Sequence, residues 1–453
     1  MASNRDILDA QRFNRARVTT AFTSGLPGGR ELEPRSSVTP FIVGVVVAAL
    51  IVVTALVLRR FSPGLPPDWQ NDYLFVIQGT GARYYTIDGV MHPVTNITSA
   101  KLLTAAGQFH VQEVPASKVD HIPRGPEIGL ADAPDDVPSP GSLTDGAWTS
   151  CAQSSAVTHT WIADGPGGFV PAAAALVSNN NATSLAVGGT RYPIAGNTLS
   201  ETLTALGLVD APVHAVKADW LNLLAPANTL GPLTIKGAGD PTDSMPDALA
   251  GTVIGSLVLV PGDDGTTGHF VVADADHLVQ LTDVAYRLYL IGTGGHPETV
   301  GPPVTTTLAT MAPLVKANQN TYPAAWPATI GDTVPRAMLP CVARPMSGDA
   351  HAVIQGAIPA ASAPAASGPV VTVPGGEGVL LRVSNGSTFG AVRLVADTGF
   401  AYGIANEADT LGRLGFTADD VLPVPEAWAG LVPPKNAKAP ALSHDTAAAT
   451  VRS

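Results

Sequence analysis

The pattern of apolar and polar positions divides the chain unevenly. From Val38 to Leu58 runs VTPFIVGVVVAALIVVTALVL, 21 residues without a charge. As a helix this stretch would be about 31 Å long, the thickness of a bilayer's hydrocarbon core, and it has no polar face. A transmembrane helix is expected there. A polar segment precedes it and Arg59-Arg60 follow, so cleavage as a signal peptide is not expected. Beyond it the pattern changes to short alternating runs. The chain holds 46 Gly and 40 Pro, residues that weaken helix interiors, which favours strands joined by turns over a helical bundle.

These runs contain an internal repeat. A shift of 208 places residues 203–226 on 411–434 with eight of 24 positions identical, among them Leu203 with Leu411, Leu206 with Leu414, Gly207 with Gly415 and Trp220 with Trp428. Both copies predict a short amphipathic helix stopped by glycine, an extended stretch, and a helical turn bearing Trp. Leu203, Leu206, Trp220, Leu411, Leu414 and Trp428 are the expected repeat core. Each copy follows a hairpin, turning at Gly188-Gly189 in one and at Asp397-Thr398-Gly399 in the other. A further copy begins at Leu74, where a shift of 100 superposes Pro93, Leu103 and Gly107 on Pro193, Leu203 and Gly207; a degenerate one begins at Gly268.

The organisation expected is an arm (1–37), a transmembrane helix (38–58), a linker (59–72), repeat 1 (73–132), a central segment (143–165), repeat 2 (166–240), a degenerate repeat 3 (251–325), a second central segment (326–385) with a mobile Ala/Pro loop (358–369), repeat 4 (388–442) and a disordered tail (443–453). The fold class is α+β: a single N-terminal transmembrane helix, then four small hairpin-helix repeat domains around a discontinuous β-rich central domain.

Charge sets the orientation. Six arginines precede Phe41, whereas Arg59 and Arg60 are followed by no basic residue until Arg83, which places the N-terminal arm in the cytoplasm. Residues 61–453 carry 17 basic and 33 acidic side chains, and the net charge of -12 over the whole chain has the wrong sign for nucleic-acid binding. The only two cysteines, Cys151 and Cys341, lie beyond the span, where an oxidising compartment permits a disulfide; a pair of buried thiols is the alternative. Neither has zinc-ligand spacing. In the arm, Arg12, Arg15 and Arg17 lie near Phe13, a combination suited to cytoplasmic partners or anionic headgroups; a bare positive-inside signal is the alternative.

Candidate chemistry is sparse. There is no G-x-x-x-x-G-K-[ST] loop, no G-x-S-x-G and no H-E-x-x-H, so neither catalytic nor cofactor or metal residues are assigned and no cofactor is expected. Asp263, Asp264, His269, Asp274, Asp276 and His277 cluster in sequence, but Asp274 corresponds to Asp397 of a hairpin turn, where a short carboxylate bonds backbone N–H groups. His92 occupies the position of Tyr192 and is expected to pack. The sequons at Asn96, Asn181 and Asn385 carry little weight.

In order along the chain stand QRFNRARVTTAF, the early span followed by SPG, HPVTNITSAKLL and IPRGPEIG, AWTSC, RYPI with ALGL, WLNLLAP and GPLTIKGAG, VPGGEGVLL, and LGF with LVPP. In this order and spacing the chain resembles the EccB subunits of actinobacterial type VII (ESX) secretion systems over nearly its whole length. The resemblance implies a structural, non-enzymatic inner-membrane component with a periplasmic body, assembling with an EccC-type ATPase, EccD, EccE and further copies of itself into a large oligomer that exports Esx and PE/PPE-type substrates. Nucleotide hydrolysis has also been claimed for that family. A second class, a membrane-anchored periplasmic enzyme or an envelope protein binding peptidoglycan or another glycan, would call for polar grooves with paired carboxylates, which the sequence does not offer at suitable spacing.

Overall fold

The computed structural model describes residues 4–24, 38–60, 65–145, 147–242, 245–262, 265–318, 320–345 and 353–452. It divides into two bodies, Met1–Leu65 and Pro66–Ser453. The first holds α1 (Asn4–Ser24) and α2 (Val38–Arg60). At 23 residues α2 is about 34 Å long. Its valines, leucine and isoleucines from Val38 to Val53 are exposed. Among the described residues no helix is long and apolar enough to cross a membrane, the side chains at 39 and 56–60 lying outside the described set.

The second body is mixed α and β; its described residues form five small sheets, of which four share one topology. The first comprises β1 (Tyr73–Ile77), β2 (Arg83–Ile87), β3 (Val90–Pro93), α3 (Ile97–Leu103) and β4 (His110–Val114), in the order β3-β2-β1-β4. Three strands form an antiparallel meander; the chain then crosses by the helix and returns in a strand parallel to the first.

The same scheme recurs in β8 (Ala174–Asn179), β9 (Ala182–Val187), β10 (Thr190–Pro193), α4 (Leu199–Leu206) and β11 (Val213–Ala215), followed by α5 (Ala218–Leu221) and β12 (Ala225–Pro226). It recurs in β13 (Leu257–Pro261), β14 (Thr267–Asp274), β15 (His277–Gln280), α6 (Asp283–Leu290), α7 (Pro297–Val300) and β16 (Val304–Thr305), then α8 (Leu308–Met311) and β17 (Val315–Lys316). It recurs again in β21 (Gly378–Asn385), β22 (Thr388–Ala396), β23 (Ala401–Gly403), α9 (Glu407–Leu414) and β24 (Leu422–Pro425), then α10 (Glu426–Ala429). Gly207 (φ 71°) and Gly415 (φ 89°) end α4 and α9 in the left-handed conformation, which glycine adopts without a Cβ penalty.

The fifth sheet is assembled from distant segments: β5 (Trp148–Ala152), β6 (Thr158–Ile162), β7 (Val170–Pro171), β18 (Met338–Arg344), β19 (Ile354–Pro359) and β20 (Val370–Thr372), in the order β20-β6-β5-β18-β19-β7. Cys151 stands directly opposite Cys341 on β5 and β18, and the two form a disulfide with a Cα–Cα distance of 4.0 Å.

Strand alternation explains how the sheets stack, since successive side chains leave opposite faces. On β8, Ala175 and Val177 enter a central core with Trp148 and Val342, while Ala174 and Leu176 face α4 and α6. On β21, Val379 and Leu381 enter that same central core, while Leu380 joins a core with Leu102, Leu411 and Leu414. The helices therefore pair across repeats: α4 with α6, and α3 with α9.

Several boundaries differ from the sequence expectation. The tail 443–453 is ordered through Arg452: α11 (His444–Val451) is opened by a Ser443–Thr446 capping box, and Thr450 accepts a hydrogen bond from the Gly129 N–H at 2.9 Å. The expected mobile loop 358–369 begins inside β19 with fully buried Ile358, and 360–362 form a 3-10 turn. Val170–Pro171, expected in repeat 2, pairs with the central sheet, whereas 378–385, expected in the central domain, is the first strand of the fourth sheet. These ends share a cause: an edge pairing or a docked helix is decided by what lies across from it, which local composition does not specify.

Candidate functional site

The charged cluster at 269–277 does not converge. His269 stacks on Tyr286 with ring centroids 3.6 Å apart, and burial holds its pKa below the ordinary value. Asp274 Oδ1 accepts from the Ala275 N–H at 2.7 Å at the β14–β15 turn. Asp276 meets His277 at 3.0 Å and Lys316 at 3.1 Å; the His277 hydrogen bond first, and Lys316 second, keep its carboxyl below the usual range. Asp263 and Asp264 lie outside the described residues. Among the described residues no group of three His, Cys, Asp or Glu side chains is placed to hold a metal. His92 packs over Gly125, its Nδ1 3.0 Å from the Pro126 carbonyl. Asn96 is the N-cap of α3, accepting from the Ser99 N–H at 2.8 Å while its amide donates to the Leu130 carbonyl.

Two other perturbed groups, His159 and Tyr289, are buried in packed surroundings. His159 stacks on Trp161 at 3.8 Å, lies 2.8 Å from Thr372 Oγ1 through Nε2, and is lowered by burial to a pKa of about 4. The Tyr289 hydroxyl, raised to about 12 by burial, donates to the Gly255 carbonyl at 2.7 Å.

A cleft of about 470 Å³ opens between α5, α10 and the β21–β22 hairpin, lined by Asp219, Asn222, Ser384, Asn385 and Glu426. Its carboxylates are engaged: Asp219 pairs with Lys217 at 2.6 Å, and Glu426 accepts from Asn385 Nδ2 at 3.2 Å. A second cleft of about 450 Å³ lies between the 129–133 segment, β23 and the 434–442 loop, walled largely by Ala, Gly and Pro.

Of the residues singled out from sequence, Leu206, Trp220, Leu411, Leu414 and Trp428 are buried and Leu203 half-buried. They occupy three cores rather than two equivalent ones. Leu206 sits in the α4–α6 core, Leu411 and Leu414 in the α3–α9 core, and both tryptophans in the central core. Trp220 Nε1 donates to the Ser150 carbonyl at 3.1 Å, and Trp428 meets Trp148 edge to face with centroids 6.3 Å apart. Sequence reasoning missed Trp148, which belongs to no repeat. It also missed two arginines whose signal is an i, i+4 pair: Asp283–Arg287 on α6 and Asp409–Arg413 on α9. On α1, Arg12, Phe13, Arg15 and Arg17 are all exposed, Arg12 lying 4.0 Å from Asp9.

Residues 1–452 match the family described as "Type VII secretion system ESX-1, transport TM domain B". A similar protein is the "ESX-3 secretion system ATPase EccB3" of Mycolicibacterium smegmatis, 28% identical over 449 residues, covering 89% of this chain and 83% of that one. Among solved structures, the chain resembles one from "Structure of an intact ESX-5 inner membrane complex" with a TM-score of 0.66 and 19% identity, over 99% of this chain and 95% of that one. It also resembles "Structure of EccB3 dimer from the ESX-3 core complex", with a TM-score of 0.62 and 22% identity, over 83% of this chain and 99% of that one. With its whole length matched and its fold shared, the chain belongs to the EccB family of type VII secretion systems.

Proposed function

We propose that this protein is a structural subunit of a type VII secretion inner-membrane complex, anchored by one span and acting through assembly. The observation that carries the reading is the family match over 1–452. On this reading α2 crosses the bilayer: its sequence is uncharged over 38–58, its length suits the hydrocarbon core, and its described apolar side chains are uncovered. The arm is then cytoplasmic and the body from Pro66 onward periplasmic, consistent with the arginine bias and the disulfide. The domain plan is four repeats around the central sheet.

The partners are an EccC-type ATPase, EccD, EccE and further copies of this chain, in keeping with the ESX-5 complex and the EccB3 dimer among its structural neighbours. Exported Esx and PE/PPE-type substrates are handled indirectly. Arg12, Phe13, Arg15 and Arg17 provide the arm's contacts. Relatives carry the word ATPase in their names; this chain has no phosphate-cradling loop and no Gly-Lys dipeptide, which supports a non-catalytic role.

The test is affinity purification of the full chain from detergent-solubilised membranes. A large complex containing an ATPase and other membrane proteins is expected, and deletion of residues 1–36 should weaken it. Recovery of the chain alone would overturn the reading. So would ATP turnover that co-elutes with the chain freed of its partners and is abolished by a point substitution within it.

A further inference from the structure

In each repeat the strand after the helix returns parallel to the first strand and takes an edge of the sheet. Three of these edges are guarded. β11 is three residues long and is entered through Pro212, β16 is two residues long and is entered through Pro302-Pro303, and β24 contains Pro423 and Pro425. Shortness and proline both deny an incoming strand its ladder. β4 differs. It runs five residues, His110–Val114, with no proline inside.

Its polarity follows from one bond. The Gln78 N–H donates to the Val114 carbonyl at 3.0 Å, so Val114, Gln112 and His110 turn their backbone groups toward β1. Alternation turns those of Val111 and Glu113 outward, where no bond to them is made among the described residues. Val111 is itself 54% exposed, an apolar residue on an open edge.

We propose that β4 is a self-association edge, pairing antiparallel with β4 of a second copy about a two-fold axis at Gln112. This rests on the self-association in the reading above and names its surface. The outward groups sit one on each side of Gln112, so a two-fold satisfies all of them: Val111 exchanges both bonds with Glu113 of the second copy, and the reverse. Gln112 faces its own mate in a non-hydrogen-bonded pair, with Cα atoms about 4.5 Å apart. Like charges are never directly opposed, since each Glu113 faces a valine. The first sheets of two molecules then become one continuous sheet.

The test uses the full chain in membranes. With Gln112→Cys, mild oxidation should give a covalent dimer on a non-reducing gel, because opposed non-hydrogen-bonded positions suit a disulfide. The control Val213→Cys, on the guarded β11 edge, should not. Adding Val111→Pro, which removes an N–H that bonds nothing inside the chain, should abolish the cross-link while the Cys151–Cys341 bond and the melting temperature are kept. If that variant fails to fold, Gln112→Cys alone decides: absence of a homodimer, or cross-linking to a different polypeptide, overturns the proposal. Light scattering of the wild-type chain in detergent separates the two levels. A strict monomer sinks the self-association reading, whereas an oligomer that persists with Val111→Pro and leaves Gln112→Cys uncross-linked sinks only the β4 edge.

Discussion

Arg413 of α9 donates through Nη1 to the carbonyl of Thr104 at 2.8 Å and to that of Leu102 at 3.3 Å, closing the C-terminal end of a helix more than 300 residues earlier in the chain. The other helix pair repeats the contact: Arg287 of α6 reaches the Leu206 carbonyl that ends α4, at 3.5 Å. Each arginine is steadied by a carboxylate one turn before it, Asp409 at 2.8 Å and Asp283 at 3.0 Å. The last carbonyls of a helix lack intrahelical donors and carry its negative dipole end, so a guanidinium there is favourable on both counts. Both arginine contacts thus lie across the paired repeats.

Arg413→Ala should therefore destabilise the body more than Arg287→Ala. Arg413 is the more buried and makes the shorter bonds, and loss of a charged donor to buried carbonyls costs about 1 to 3 kcal/mol. Thermal melts of the two variants compare them directly. Equal, negligible shifts would remove the arginines from the pairing.

Truncating Trp220 or Trp428 to Ala should cost about 3 to 5 kcal/mol each, since both are almost completely buried in the central core. A double-mutant cycle between Trp148 and Trp428 should show coupling of about 0.5 to 1.5 kcal/mol from their edge-to-face contact. Additive effects would mean that the ring contact contributes nothing beyond burial.

The Cys151–Cys341 bond closes a separation of 190 residues and joins the two halves of the central sheet. Cys151→Ser with Cys341→Ser should lower the melting temperature markedly, with about 5 kcal/mol as the upper bound from chain entropy. Both sulfurs belong to fully buried residues, so the bond should resist a mild reductant until the body unfolds. Mass spectrometry after alkylation reports this, and labelling of both thiols in untreated native protein would contradict the pairing.

His159 supplies a pH dependence. Its pKa falls from an ordinary value near 6.5 to about 4 on folding. Between those values the unfolded chain binds the extra proton, so its contribution is intact above pH 6.5 and is lost as pH falls toward 4. His159→Phe should flatten the melting-temperature profile across that window. An unchanged profile would mean that other groups govern acid sensitivity.

For topology, protease added to spheroplasts should degrade the chain from Pro66 onward and spare the arm and α2. Protection of the large body would reverse the orientation drawn from the arginines.

Much of this protein was legible from local pattern, because the relevant physics is local. The uncharged run at 38–58 predicts the helix that α2 forms. The hairpins at Gly188-Gly189 and around Thr398, and the stops at Gly207 and Gly415, need only turn chemistry and a backbone position that glycine tolerates. Burial of Trp220 and Trp428 could be read from their recurrence on matching short helices. Tertiary structure decided what depends on distant neighbours. The parallel return strands carry no local signature, since their partners lie a whole helix away. The joining of both tryptophans to Trp148 in one core required the central sheet to gather strands from 148 to 372. The Ala-rich tail folds because Ser443 caps it and α3 receives it, and β4 is open only by contrast with three guarded edges. In each case the deciding energy is burial or hydrogen bonding against a surface that exists only after the chain has folded.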